Sequence, residues 1–276
     1  MPPLPTRPLG RTNVPVTLFG LGGEGILRTY GETKAAARVI HRALDQGVNY
    51  CDTAPAYAGS MDYYGAALGE RRRHVFLASK THLRTRDASL KLLDESLKRL
   101  RTDHLDLWQL HDLRTQDDLC EIFGKGGALE ALIQARTEGR VRFLGLTGHH
   151  DPQILLDAMK RFAFDTVLVA LNAADVHRAS FVKSVLPEAR RQGMAVIGMK
   201  TCAQGALLGT LSMDEAVGYV LSLQGVSHVI IGCKTETEVD DNARIAREFK
   251  PFNDATMWNL EAKTEPGHRT FAYYKK

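Results

Sequence analysis

The chain has 276 residues, 44% hydrophobic and 25% charged, a balance that fits one globular α/β barrel of about 250 residues with trimmings. Its 36 Lys and Arg against 32 Asp and Glu leave a formal +4, too mild for a nucleic-acid partner, and the one basic run, Arg71-Arg72-Arg73, reads as a solvated helix end. No apolar run approaches the ~20 residues of a membrane span, the four cysteines (Cys51, Cys120, Cys202, Cys233) lack metal or redox spacing, and the opening MPPLPTRPLGRTNVP lacks a signal peptide's apolar stretch, so a cytoplasmic protein with no membrane partner is expected.

Residues 4–11 read as a short hairpin across one end of the fold. Short apolar runs then alternate with longer amphipathic segments. A strand is expected at 15–22, then a helix at 33–46 (TKAAARVIHRALDQ) closed by Gly47. A strand follows at 48–53 (VNYCDT) and another at 75–80 (VFLASK). The helix at 88–100 places Leu90, Leu93, Leu97 and Leu100 on one face. Strand 105–111 (LDLWQLH) precedes helix 128–138, which ends at Gly139. Strands 141–147 (VRFLGLT), 165–172 (DTVLVALN), 195–200 (AVIGMK) and 227–232 (SHVIIG) alternate with helices at 152–161, 179–192, 213–223 and 236–248. Eight strands separated by helices imply parallel pairing with right-handed crossovers. We therefore expect a single-domain α/β protein, a closed (β/α)8 TIM barrel over residues 1–276. The stretch 249–276 lacks periodicity and reads as an irregular C-terminal tail.

In such a barrel the strand C-terminal ends and the loops after them build the site. Here those ends carry Asp52 with Tyr57 in its loop, Lys80, His111, Thr147, Asn172, Lys200, and Gly232-Cys233-Lys234. Singly, each has a plain structural role. Asp52 caps a turn, Tyr57 packs, Lys80 reaches solvent and His111 sits satisfied in a core. Together on consecutive units, Asp52, Tyr57, Lys80 and His111 make a proton donor. A tyrosine at its usual pKa of about 10 holds its proton at pH 7. An ammonium beside it would lower that value, and a carboxylate would keep the ammonium charged and fixed. A neutral histidine would hold a substrate carbonyl. Such a set donates a proton to a carbonyl oxygen while its carbon accepts hydride. The adjacent His149 and His150 do not read as a metal site, because neighbours in a strand face opposite ways.

The stretches VNYCDTAPAY, VFLASKT, SLKRLRTDHLDLWQLHD, GRVRFLGLTG and VIIGCKTETEVDDN, taken in order over roughly residues 5–248, resemble the aldo-keto reductase family. The resemblance implies an NADP(H)-dependent reduction of an aldehyde or ketone to an alcohol. Tyr57 would be the general acid, Lys80 and Asp52 would tune it, and His111 would orient the carbonyl. The partner would be a small-molecule carbonyl compound. Cofactor contacts would fall on Thr147, Asn172, Met199, Lys200, Gly232, Cys233, Lys234 and Asn242. The match has departures. Thr147-Gly148 stand where Ser-Asn is common, Leu168 where a glutamine is common, and Met199 where an aromatic often stacks. The 2′-phosphate site would lie near Lys234 and Arg244. Glu236 and Glu238 beside it keep NAD(H) open as the alternative, and Thr235 to Glu238 match a capping box with no ligand required. A branch of the family with Met-Lys at this place includes members with iron–sulfur tails, but residues 249–276 contain no cysteine. Two other functions stay open on the residues alone. One is a Schiff-base lyase or aldolase using Lys80 or Lys200; the other is a non-catalytic nicotinamide-binding regulatory protein. The AGSMDYYG stretch after Tyr57 and the aromatics Phe271, Tyr273 and Tyr274 are either pocket walls or surface packing.

Overall fold

A computed structural model describes residues 2–275. Eight strands close a parallel barrel: β3 (Phe19–Gly25), β4 (Tyr50–Asp52), β5 (Phe76–Thr81), β6 (Leu105–Leu110), β7 (Val141–Gly148), β8 (Thr166–Ala170), β9 (Ala195–Met199) and β10 (Val226–Cys233), with β10 returning to pair with β3. This is the (β/α)8 architecture expected from the alternation. Strands buried on both faces need apolar residues at nearly every position. In β5, β6, β8 and β9 every residue is buried.

The end opposite the site is sealed by a hairpin. Its strands are β1 (Thr6–Pro8) and β2 (Pro15–Thr17), paired antiparallel. The hairpin is longer than the 4–11 expected, and residues 15–17 belong to it rather than to the first barrel strand. Leu9 and Val16 drop into the barrel against Tyr50, Phe76 and Ile197.

The outer layer contains α1 (Thr33–Asp45), α2 (Ser60–Ala67), α3 (Arg86–Leu100), α4 (Gln116–Phe123), α5 (Ala128–Thr137), α6 (Pro152–Arg161), α7 (Phe181–Arg191), α8 (Met213–Ser222) and α9 (Glu236–Glu248). Gly47 and Gly139 end their helices with φ of 92° and 75°, a region where only glycine avoids a Cβ clash. Two helices of this layer were not expected. α2 occupies the AGSMDYYG stretch, with Met61, Tyr63 and Tyr64 buried and the Tyr64 hydroxyl donating to the Leu21 carbonyl at 2.9 Å. That stretch is packing and not a pocket wall, since none of it lines the cavity described below. α4 is only two turns long, and Thr115 caps it with a reciprocal bond to Asp118.

The tail is not irregular. It forms α10 (Asp254–Thr264) and the single turn α11 (His268–Phe271). Asn253 caps α10, but only Leu260 and Thr264 on it are buried, so its sequence shows too little apolar period to be read. In the Arg71-Arg72-Arg73 run, Arg71 and Arg73 are exposed at a helix end as expected, and Arg72 differs. Arg72 is mostly buried, ion-paired to Asp106 at 3.1 Å and donating to the carbonyls of Val75 and His104. It ties strand starts together and is not a solvated end.

Candidate active site

Asp52 is the last residue of β4, and Lys80 stands one place before the end of β5. Register pairs Asp52 with Ala78, so the two side chains meet inside the barrel mouth. The Lys80 ammonium donates to Asp52 Oδ1 at 2.5 Å and to the Thr53 carbonyl at 2.8 Å. Each side chain is 1% exposed. Burial pushes the Asp52 carboxyl up and the Lys80 ammonium down, and the contact between them opposes both shifts. With its charge paired and two acceptors engaged, Lys80 is not a free amine.

Tyr57 lies in the loop after β4. The Lys80 ammonium sits 4.9 Å from its ring centroid, and the His111 ring meets it edge-on at 5.8 Å. The four residues expected to work together therefore converge, but the direction of tuning differs from expectation. Burial holds the Tyr57 phenol well above its usual pKa, and Asp52 and Glu24 add to the effect. Lys80 spends its charge on Asp52, so the phenol faces a nearly neutral pair instead of a bare cation. Tyr57 keeps its proton until an acceptor reaches it. His111 is pushed down to about 2, chiefly by burial and then by Lys80, so its ring is neutral at any physiological pH.

These groups open into a cavity of about 530 Å³ lined by Tyr57, His111, Lys200, Tyr273 and Tyr274 together with Glu24, Arg28, His82, Arg84, Asp112, Arg114, His149 and His150. The two tail tyrosines are thus walls of the cavity, while Phe271 is buried in the core. Asp112, Arg114, His82 and Arg84 escaped the sequence reading because it stopped at strand ends. They lie one turn further on, in HDLR and KTHLR. His149 and His150 both turn toward Asp112, at 2.7 and 3.7 Å. They follow β7 instead of lying in it, so strand alternation does not separate them. Asp112 also pairs with Arg114, and these partners hold its carboxyl well below the usual range.

Several expected cofactor residues stand back from this cavity. The Thr147 hydroxyl accepts from the Asp112 backbone N–H at 2.7 Å. Asn172 is fully buried, donating to the Tyr274 hydroxyl at 2.9 Å and accepting from the Ala174 N–H at 3.0 Å. Met199 packs in the inner core with Leu168 and Tyr274. Gly148 has a packing cause, since a Cβ there would lie 2.8 Å from Leu155 Cδ2 on α6. Gly232 allows the close approach of Glu24, whose backbone carbon would be 2.6 Å from a Cβ. At the far end, Asn242 donates to Cys233 Sγ at 3.4 Å and leaves its own carbonyl oxygen buried without a donor. Glu238 does not complete the box expected with Thr235. It accepts from the Lys234 N–H at 2.6 Å, while Thr235 accepts from the Glu238 N–H. Arg244 is committed to Asp214 and Glu248.

The buried histidines set a pH dependence. His228 is pushed down to about 3 and His111 to about 2 by burial. Below about pH 6.5 the unfolded chain binds protons there that the folded chain refuses. Stability is therefore full above that pH and is lost as pH falls. We expect the melting temperature to drop steadily from pH 6.5 to pH 4. A flat or rising profile over that range contradicts the assignment of these rings as neutral.

The Aldo/keto reductase family model matches residues 18–218. L-galactose dehydrogenase of Arabidopsis thaliana is 24% identical over 310 residues, spanning 94% of this chain and 94% of the relative. The 6-dehydroglucose reductase of Novosphingobium aromaticivorans is 28% identical over 255 residues, 83% of this chain and 81% of the relative. Among solved structures, an aldo-keto reductase from Bacillus halodurans in its holo form superposes with a TM-score of 0.81 at 23% identity, covering 94% and 96% of the two chains. One from Klebsiella pneumoniae in complex with NADPH gives 0.76 at 22% identity, covering 94% of each.

Proposed function

The chain belongs to the aldo/keto reductase family, and from that premise we propose that it reduces a small aldehyde or ketone with NADP(H), with Tyr57 as the proton donor. The observation that carries this reading is that Tyr57 and His111 face one cavity with the buried Lys80–Asp52 pair behind them. Lys80 lies 2.5 Å from Asp52 and 4.9 Å from the Tyr57 ring, and His111 lies 5.8 Å from that ring.

A bound nicotinamide supplies the hydride. Tyr57 donates its phenolic proton to the carbonyl oxygen, a contribution of about 10²–10⁴ in rate for such an acid. The neutral His111 ring donates a hydrogen bond to the same oxygen and fixes its position. The Lys80 ammonium, 4.9 Å from the Tyr57 ring, offsets part of the charge left on the phenolate after transfer. In reverse, the same groups take the proton back from an alcohol.

The chain's residues fit a dinucleotide unevenly. The orphaned Asn242 carbonyl is the complement of an exocyclic amine such as adenine's. Thr147 has a hydroxyl proton to offer an amide, whereas Asn172 would have to exchange its bond to Tyr274. For the ribose end, Lys234 is exposed beside the start of α9, where backbone N–H groups favour an anion. Of the two glutamates there, Glu236 is paired with Arg38 at 3.2 Å and Glu238 is engaged by the Lys234 N–H. Their repulsion of a phosphate is reduced, which favours NADP(H) over NAD(H). Fluorescence titration of the purified protein should give a dissociation constant about tenfold or more lower for NADPH than for NADH. Equal constants, or tighter NADH, would remove the phosphate from the site; binding of neither would remove the reading.

A further inference from the structure

The charges around the cavity are mostly spoken for. Arg28 is paired with Glu24 at 2.7 Å and Arg114 with Asp112 at 2.5 Å. Arg84 donates to Asp118 at 2.8 Å and to the carbonyls of His111 and Asp112. Lys200 differs. Its ammonium lines the same cavity as Tyr57 and His111, and among the described residues it has no carboxylate at ion-pair distance and no hydrogen-bond acceptor. Its one close partner is the Tyr274 ring, whose centroid is 5.7 Å away.

Lys200 stands apart in a further way. Burial also weighs against its charge, and the carboxylates of Glu24 and Asp112 offset this only at a distance. An ammonium that is half-buried and unpaired is a cost to the free protein, recovered when an anion arrives. A carboxylate satisfies it with a charge-assisted hydrogen bond.

We propose that Lys200 binds a carboxylate carried by the substrate, so that the compounds reduced are oxo acids and not neutral carbonyls. The inference rests on the carbonyl-reductase reading above and names the substrate class of that site. The ammonium shares the cavity with the groups that hold the reacting carbonyl. Lys200 is also one of the expected cofactor contacts, but the 2′-phosphate determinants, Lys234 and the start of α9, are absent from that cavity's lining. The acid group anchors on Lys200, the carbonyl faces Tyr57 and His111, and Tyr273 and Tyr274 wall the space between.

The test compares three oxo acids of different reach, glyoxylate, 4-oxobutanoate and 4-carboxybenzaldehyde, each against its methyl ester. The measured quantity is the acid-to-ester ratio of kcat/KM. In the wild type we expect a ratio of about ten or more for at least one pair. Lys200→Met should bring that ratio to about one, and Lys200→Arg should retain most of it. Turnover of the esters with no acid preference in any pair overturns the inference alone. A ratio unchanged in Lys200→Met, with NADPH binding weakened tenfold, assigns the ammonium to a cofactor phosphate and also overturns it. No turnover of acid or ester sinks the carbonyl-reductase reading and this inference with it.

Discussion

Tyr57→Phe should cut kcat by about 10³, within the range removed with a positioned general acid, while the NADPH dissociation constant stays within about threefold. The reasoning is local. Tyr57 lines the cavity with 9% of the residue exposed, and a phenylalanine ring can keep the packing against His111 and Lys80. Phenylalanine keeps the volume and the contacts and loses one O–H. Steady-state kinetics with a fluorescence titration reads both quantities. A variant that keeps a tenth or more of kcat shows that another group delivers the proton, with His111 first in line. Loss of cofactor binding in parallel would instead show that the ring supports the dinucleotide.

Lys80→Met should be the most destabilising of these changes, by about 3–5 kcal/mol, because it leaves the Asp52 carboxylate buried without its partner. For a chain of this size that corresponds to a drop of very roughly 10 °C in melting temperature. Asp52 is already pushed up by burial, so part of the penalty is relieved by its taking a proton. The double change Asp52→Asn with Lys80→Met removes both charges at similar volume. It should recover at least half of the lost stability, since a buried pair replaced as a unit is close to neutral, yet show no recovery of kcat. Thermal melts and kinetics on the three proteins separate the two roles. A single variant that melts within about 2 °C of the wild type would mean the pair is solvated or dispensable to the fold. Recovered turnover in the double variant would mean the pair does not stabilise the phenolate.

Much of the architecture and its central cluster is legible in the sequence. Alternation of apolar runs with amphipathic segments reports burial on both strand faces and on one helix face, and those periods survive in the sequence because each residue must obey them. Asp52, Lys80 and His111 were found by position, at strand ends, and Tyr57 by the loop that follows one of them. The misread segments share a different cause. α2 and α10 bury few or irregularly spaced residues, so neither shows a helical period. β2 has strand composition but pairs outside the barrel with β1, its neighbour in the chain, and apolar composition alone does not say which of two possible partners a strand takes.

The sequence by itself determined the (β/α)8 fold and which side chains stand at the barrel mouth, because local periodicity and chain order suffice for both. Only the tertiary structure decided what each of those side chains is free to do. Asn172 is taken by Tyr274, more than a hundred residues later in the chain; Thr147 by the Asp112 N–H; Lys80 by Asp52; Arg244 by Asp214. Lys200 alone among the cavity's cations is left unpaired by these arrangements in the described residues. Hydrogen bonds and ion pairs act over about 3 Å, and no pattern in one dimension states which distant atoms will come that close.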